Sequence, residues 1–166
     1  MTAIVTLRRG SETDIAFVMA TERLEGYGEL VGRWEADRHL AALRDGRHAY
    51  FIATSEGAPV GFAILRDWAS AEQVTLVKRV AVARPGNGLG TTMMRALVAE
   101  VFTATDAYRL WIDTFPDNER ARRAYEAAGF QAEGVARGSA FFQGMHRDEL
   151  ILSILRPEWE ASARHA

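Results

Sequence analysis

Apolar and polar positions change period several times along the chain, and each change marks an element. Ala3–Arg8 reads as a short strand. Ser11-Glu12-Thr13-Asp14 then places a hydroxyl three residues before an acid, a capping-box variant that predicts a helix through about Thr21. Three glycines interrupt Glu25–Trp34, which reads as a loop, and a helix follows over about Glu35–Leu43 with Ala36, Leu40 and Leu43 on one face. Ala49–Thr54 and Pro59–Arg66 are strand-like runs joined by Ser55–Ala58, so they read as a hairpin. Gln73–Val82 is a third strand. There Lys78 falls on the parity of Val74, Leu76, Val80 and Val82 while Val77 breaks it, which predicts a bulge.

Near Gly90 the period lengthens. Leu89, Met93, Leu97 and Val101 recur every four residues, as a helix packed on a sheet requires. Arg109–Thr114 is a short strand, and Asp117 or Asn118 caps a helix to about Ala128, with Gly129 as its C′ residue. Two final strands fit about Gln131–Ala136 and Glu149–Leu155, with a loose connection between them. Helices interspersed among hairpins predict a mixed α/β (α+β) sheet rather than a doubly wound parallel one. No repeat or flexible linker divides the sequence, so residues 1–159 read as one domain and residues 160–166 as a C-terminal tail.

Composition narrows the chemistry. With 166 residues, 48% of them hydrophobic, the chain is long enough to bury roughly two-thirds of its surface without a staple. It contains no cysteine, which excludes disulfides, thiolate metal sites and cysteine nucleophiles. Twenty basic against 22 acidic residues give a net charge of −2, so no field draws the protein to nucleic acid. Apolar runs are too short to span a bilayer and the N-terminus lacks the order of a signal peptide, so no membrane partner is expected and the location is expected to be cytoplasmic. The four histidines show no paired metal spacing, and no metal is expected.

The strongest local feature is the turn after Val82, where Gly86, Gly88 and Gly90 lead into a helix that starts at Leu89 to Thr91. Glycines let backbone amides approach an anion closely, and a helix N-terminus adds donors and partial positive charge, so this turn is a candidate phosphate or pyrophosphate site. A Walker loop needs a lysine before its hydroxyl residue, and Thr91 follows Gly90 directly. The dinucleotide spacing G-x-G-x-x-G fails because Thr91 stands at its third glycine. ATP and NAD are both demoted.

Gly88 and Gly90 fill the two glycine places of the coenzyme motif of the GNAT superfamily of acetyl-CoA-dependent N-acetyltransferases, which this segment resembles. Pro85 stands at the motif's Arg or Gln place, and Arg84 carries a guanidinium one residue earlier. A second stretch resembles the same family: Asn118, Ala121, Tyr125 and then Gly129-Phe130 fill every place of its later strand and helix. PGNGLG and the closing ILSILRPEW are similar to the bacterial ribosomal-protein N-terminal acetyltransferase group.

The resemblance implies a mostly antiparallel sheet of about seven strands flanked by about four helices and splayed in the middle to admit acetyl-CoA. It implies that Gly86, Asn87, Gly88, Leu89, Gly90 and Thr91, with Arg84, hold the pyrophosphate. Backbone groups of Val80 and Val82 and the Asn118 side chain then face the coenzyme arm, although the helix cap alone also explains Asn118. Tyr125 occupies the place of the family tyrosine near the coenzyme sulfur. Asp113 occupies the place of a base that acts directly or through water, and a strand-end aspartate ordering a turn is the plain alternative. The loop Leu24–Trp34 falls in the acceptor-facing region, so Tyr27 and Trp34 are expected on one wall and Phe142, with Phe141, Met145 and His146, on the other.

The implied activity is direct transfer of acetyl from acetyl-CoA to a primary amine in a ternary complex. The acceptor is a small-molecule amine or a protein N-terminus, and the assembly is a monomer or homodimer. A non-catalytic acyl-CoA sensor on the same fold is the rival, and Tyr125 discriminates between them.

Overall fold

The structure is a computed structural model describing residues 4–166. Strand β1 (Thr6–Arg9) leads through a 3-10 turn (Glu12–Asp14) into helices α1 (Ile15–Glu22) and α2 (Ala36–Arg44). Strands β2 (His48–Ser55), β3 (Ala58–Arg66) and β4 (Val74–Val82) follow, then helix α3 (Leu89–Ala104) and strand β5 (Arg109–Thr114). Helix α4 (Glu119–Ala127), strands β6 (Gln131–Phe142) and β7 (Met145–Leu155) and helix α5 (Arg156–Ala163) complete the chain. One seven-stranded sheet has the order β1-β2-β3-β4-β5-β7-β6. All its pairs are antiparallel except β4 with β5.

The sequence reading departs from this fold at three places. The expected strand start at Ala3 lies outside the described residues. The connection read as loose is a long hairpin arm, since β6 reaches Phe142 and β7 starts at Met145, with only Gln143 and Gly144 between them. Its strands carry register shifts and mostly exposed side chains, so no clean alternation announces them. The chain also ends in a fifth helix: residues 160–163 belong to α5, which leaves only residues 164–166 as a tail.

Each face of the sheet has its own core. α3 lays Met93, Met94, Leu97, Val98, Val101 and Phe102 on one face, against Phe51, Leu65, Leu110 and Leu152. Gly61 permits that approach, since a Cβ there would stand 2.8 Å from Met93 Sδ and 2.9 Å from the Ala81 carbonyl oxygen. On the opposite face Val18, Tyr27, Trp34 and Ala42 cover only β2, β3 and the end of β4, through Tyr50, Ile52, Phe62, Ile64 and Ala81. The front of β5 and β7 therefore carries no helix, and polar side chains are tolerated there.

The bulge predicted in β4 is present. Ile64 pairs with Arg79 but its neighbour Leu65 pairs with Val77, so Lys78 is the inserted residue. Beyond it the parity inverts: Val77, Val80 and Val82 belong to the helix-α3 side, while Arg79 and Ala81 turn to the front. Pairing with β5 stops at the same place, running only from Val74–Arg109 to Val77–Ile112.

Arg156, at the start of α5, ties down the end of α3. It donates to the carbonyls of Phe102 at 2.9 Å, Thr105 at 2.7 Å and Ala107 at 2.9 Å, and its guanidinium lies 5.3 Å from the Phe102 ring centre. Cationic donors at a helix C-terminus satisfy carbonyls that the helix leaves free. Arg156→Ala is expected to lower stability by about 2 kcal/mol, read as a lower urea midpoint at an unchanged slope.

Candidate active site

Once β4 leaves β5, its edge from Lys78 to Val82 has no strand partner on that side, and a cleft of about 1030 Å³ opens between them. This lies at the upper end of cofactor pockets, roughly 300–1,000 Å³. A hollow of about 470 Å³ shares Tyr27, Leu30, Pro85, Asn118 and Arg120 with it.

The glycine turn closes one end of the cleft. Gly86 has φ +105° and Gly88 +71°, a region that L side chains rarely occupy. The first backbone bond at the helix start runs from the Thr92 amide to the Gly88 carbonyl, so the amides of Leu89, Gly90 and Thr91 have no partner within the helix. Gly86, Gly88, Gly90 and Thr91 line the cleft, whereas Arg84, Asn87 and Leu89 do not. Cations nearby come instead from α4, where Arg120 and Arg123 line the wall. Free amides, an unpaired strand edge and two arginines suit a long phosphate-bearing ligand.

α4 and β5 supply the chemical groups. The Asn118 side-chain Oδ1 accepts from the Ala121 amide at 3.3 Å, so this residue is the helix cap and also lines the cleft. The cap starts α4 so that Tyr125 turns inward: it is 8% exposed, lines the cleft and lies 6.2 Å, ring centre to ring centre, from Phe130. Burial, followed by the nearby charges of Asp113 and Tyr27, pushes its hydroxyl well above the ordinary phenol range. The group is a proton donor throughout the neutral range.

Asp113 stands on the front of β5, opposite Ile151, with Glu149 two residues along β7 on the same face. Burial, a hydrogen bond with the Glu149 side chain and the Glu149 charge push the Asp113 carboxyl up to about 7, against the opposing pull of Lys78 and Arg66. The Asp113 carboxyl therefore holds its proton toward neutrality. Ser139 adds a hydrogen bond to Glu149 at 2.8 Å.

Val80 and Val82 both line the cleft, but the Val82 carbonyl accepts the Tyr27 hydroxyl at 2.7 Å. Tyr27 is thereby fixed as a wall, and the Val82 carbonyl is engaged by it. Trp34 is also buried wall, its indole flanked by Arg38 at 4.3 Å and Arg79 at 4.7 Å. Phe142 lines the opposite side and packs on Phe115 at 5.4 Å, with Phe141 beside it in the lining. Met145 and His146 are outside the lining.

Sequence reasoning missed Glu149, Arg66 and Trp111, all of which line the cleft, and read Lys78 only as a break in the strand pattern. The bulge was the available signal for Lys78. The others become visible only once the strands are paired. Among the described residues no group of three His, Asp or Glu side chains forms a metal site, and no helix is long and apolar enough to cross a membrane.

Residues 16–130 match the model of the acetyltransferase (GNAT) family. This chain belongs to that family. The aminoglycoside N(6')-acetyltransferase type 1 of Klebsiella pneumoniae is 30% identical over 155 residues, covering 79% of this chain and 76% of that protein. Bacillus subtilis (strain 168) YdaF, whose name refers to ribosomal N-acetyltransferase activity, is 36% identical over 75 residues, 45% of this chain and 41% of that protein. Among solved structures, AAC(6')-Ib in complex with an aminoglycoside and acetyl-CoA superposes with a TM-score of 0.82 at 25% identity, covering 98% of this chain and 99% of that one. The seven-stranded, mostly antiparallel sheet of this chain is thus that of a GNAT fold, with five α-helices where about four were expected.

The raised Asp113 carboxyl makes stability depend on pH. The folded state keeps this proton to about pH 7 whereas the unfolded chain loses it near pH 4, so stability falls as pH rises between those values. Asp113→Asn removes that penalty. Its Tm relative to the parent protein is expected to be higher at pH 8 than at pH 4, in thermal melts followed by circular dichroism.

Proposed function

We propose that this GNAT protein transfers acetyl from acetyl-CoA to a primary amine, with Asp113 as base and Tyr125 as acid. The observation that carries the reading is the cleft with these two groups on its walls, one titrating near neutrality and one protonated well above it. When bound, acetyl-CoA supplies a thioester whose carbonyl carbon bonds to the amine nitrogen as its bond to sulfur breaks, with no covalent enzyme intermediate. The turn amides of Gly90 and Thr91 and the cations Arg120 and Arg123 hold the phosphates, and the free edge of β4 orients the arm.

An ammonium must lose a proton before it attacks. Asp113 receives it, directly or through a water, and Glu149 keeps the carboxyl poised near pH 7 rather than fully ionised. The Tyr125 hydroxyl donates to the departing sulfur; among the described residues it makes no hydrogen bond that would compete with this role. The Trp34 and Tyr27 wall and the Phe142 arm enclose the acceptor side.

Relatives named for aminoglycoside and spermidine N-acetylation support a small-molecule amine as the acceptor class. Thiol release from acetyl-CoA over a panel of amines and N-terminal peptides tests the assignment. Tyr125→Phe is expected to retain acetyl-CoA affinity by titration calorimetry and to lose roughly 10²-fold or more in kcat. In the parent protein kcat/KM is expected to rise with pH through an apparent pKa near 7, and Asp113→Asn is expected to abolish that inflection. Unchanged turnover in Tyr125→Phe would remove the acid role.

A further inference from the structure

The cleft is unevenly charged. Six of its lining side chains are arginine or lysine and two are carboxyls, Asp113 and Glu149. Arg79 is neutralised by Glu22, and Arg120 and Arg123 lie on α4 by the glycine turn, at the coenzyme end. Arg33 stands on the Leu24–Trp34 loop, and Arg66 and Lys78 are left on the front of the sheet, on the acceptor side.

The strand registers lay out this floor. Arg66 on β3 is opposite Leu76 on β4, Leu76 opposite Trp111 on β5, and Trp111 opposite Ser153 on β7. One step further along are Lys78 and Asp113, with Glu149 diagonal to Asp113. Leu76 and Trp111 thus lie between Arg66 and the carboxyl side, while Lys78 faces Asp113 across the opening. Two strand spacings, about 10 Å, lie between β3 and β5.

Neither cation has a counter-charge to itself in close contact. Lys78 forms no ion pair within 4.0 Å among the described residues. Arg66 meets only Asp67, at 3.5 Å, and Asp67 is already bound by Arg47 at 2.5 Å. The Arg66 Nε is sealed from solvent with no hydrogen-bond partner, while the side chain as a whole stays 33% exposed. A polycation entering here would meet two positive groups beside the Asp113 and Glu149 carboxyls. A ligand with one amine and one anion would match both sides.

On the acetyltransferase reading above, we propose that the acceptor is a primary amine that also carries an anionic group, carboxylate or phosphate-like. Arg66 and Lys78 hold the anion, a short apolar spacer lies on Leu76 and Trp111, and the amine faces Asp113. Charge-assisted hydrogen bonds and the absence of like-charge repulsion then select it over polyamines and aminoglycosides.

The test is thiol release from acetyl-CoA with matched acceptors of several spacer lengths: an ω-amino carboxylate, its amide, the corresponding aminophosphonate, and spermidine. The anionic members are expected to exceed the amide in kcat/KM by about tenfold or more, and the carboxylate-to-phosphonate ratio tells which anion is used. Arg66→Gln is expected to narrow the ratio of anionic member to amide, and Lys78→Glu to invert it, with Asp113→Asn slowing every acceptor and leaving the ratio in place. Because the paired acceptors share one base and one coenzyme, the ratio does not follow a general loss of activity or folding. Preference for spermidine or the amide, or a ratio unmoved by Lys78→Glu, overturns the proposal and leaves the transferase reading standing. No release from any acceptor, with acetyl-CoA bound by calorimetry, overturns both.

Discussion

The constraint on which the rest depends is that β4 pairs with β5 for only four residues. One inserted residue, Lys78, shifts the phase of β4, so the strand after it continues to pair with β3 but no longer with β5. A hydrogen-bonded sheet edge left open inside a protein is costly unless something satisfies it. Here the opening is the functional cleft. The glycine turn, the Asp113 carboxyl and Tyr125 all border it because each belongs to an element that starts or stops where the pairing fails.

An opening of this kind needs an anchor, and the anchor is electrostatic. Glu22, wholly buried at the end of α1, accepts from Arg79 at 2.6 Å and meets His39 at 3.2 Å, while His39 bonds the Tyr50 hydroxyl at 2.6 Å. Buried ion pairs gain little net stability over an apolar filling, but losing one partner strands the other charge. The pair thus binds α1 to the first residue past the bulge. It also holds Trp34, whose indole rests on the Arg79 guanidinium. The acceptor wall and the free strand segment are parts of one network.

Much of the fold was legible because its signals are local. Arg109–Thr114 alternates, Asn118 and Gly129 punctuate α4, and the misplaced Lys78 announced its bulge. The β6–β7 arm was not legible, since its strands are mostly solvated and pair through irregular registers that suppress the period. The second half of α5 was read as tail because the helix's stabilising contacts, Arg156 with the α3 terminus and Trp159 with Phe102 at 5.5 Å, join residues far apart in sequence.

By itself the sequence determined most of the elements, the glycine turn and the candidacy of Tyr125 and Asp113, because caps, periods and glycines act within a few residues of one another. Only the tertiary structure decided what those residues do together. Glu149 reaches Asp113 through the register of β7 on β5, and Arg66 is left with a counter-charge that Arg47 also binds. The raised Asp113 carboxyl and the shared counter-charge depend on distance and burial, and strand pairing brings together residues whose separation along the chain says nothing of either.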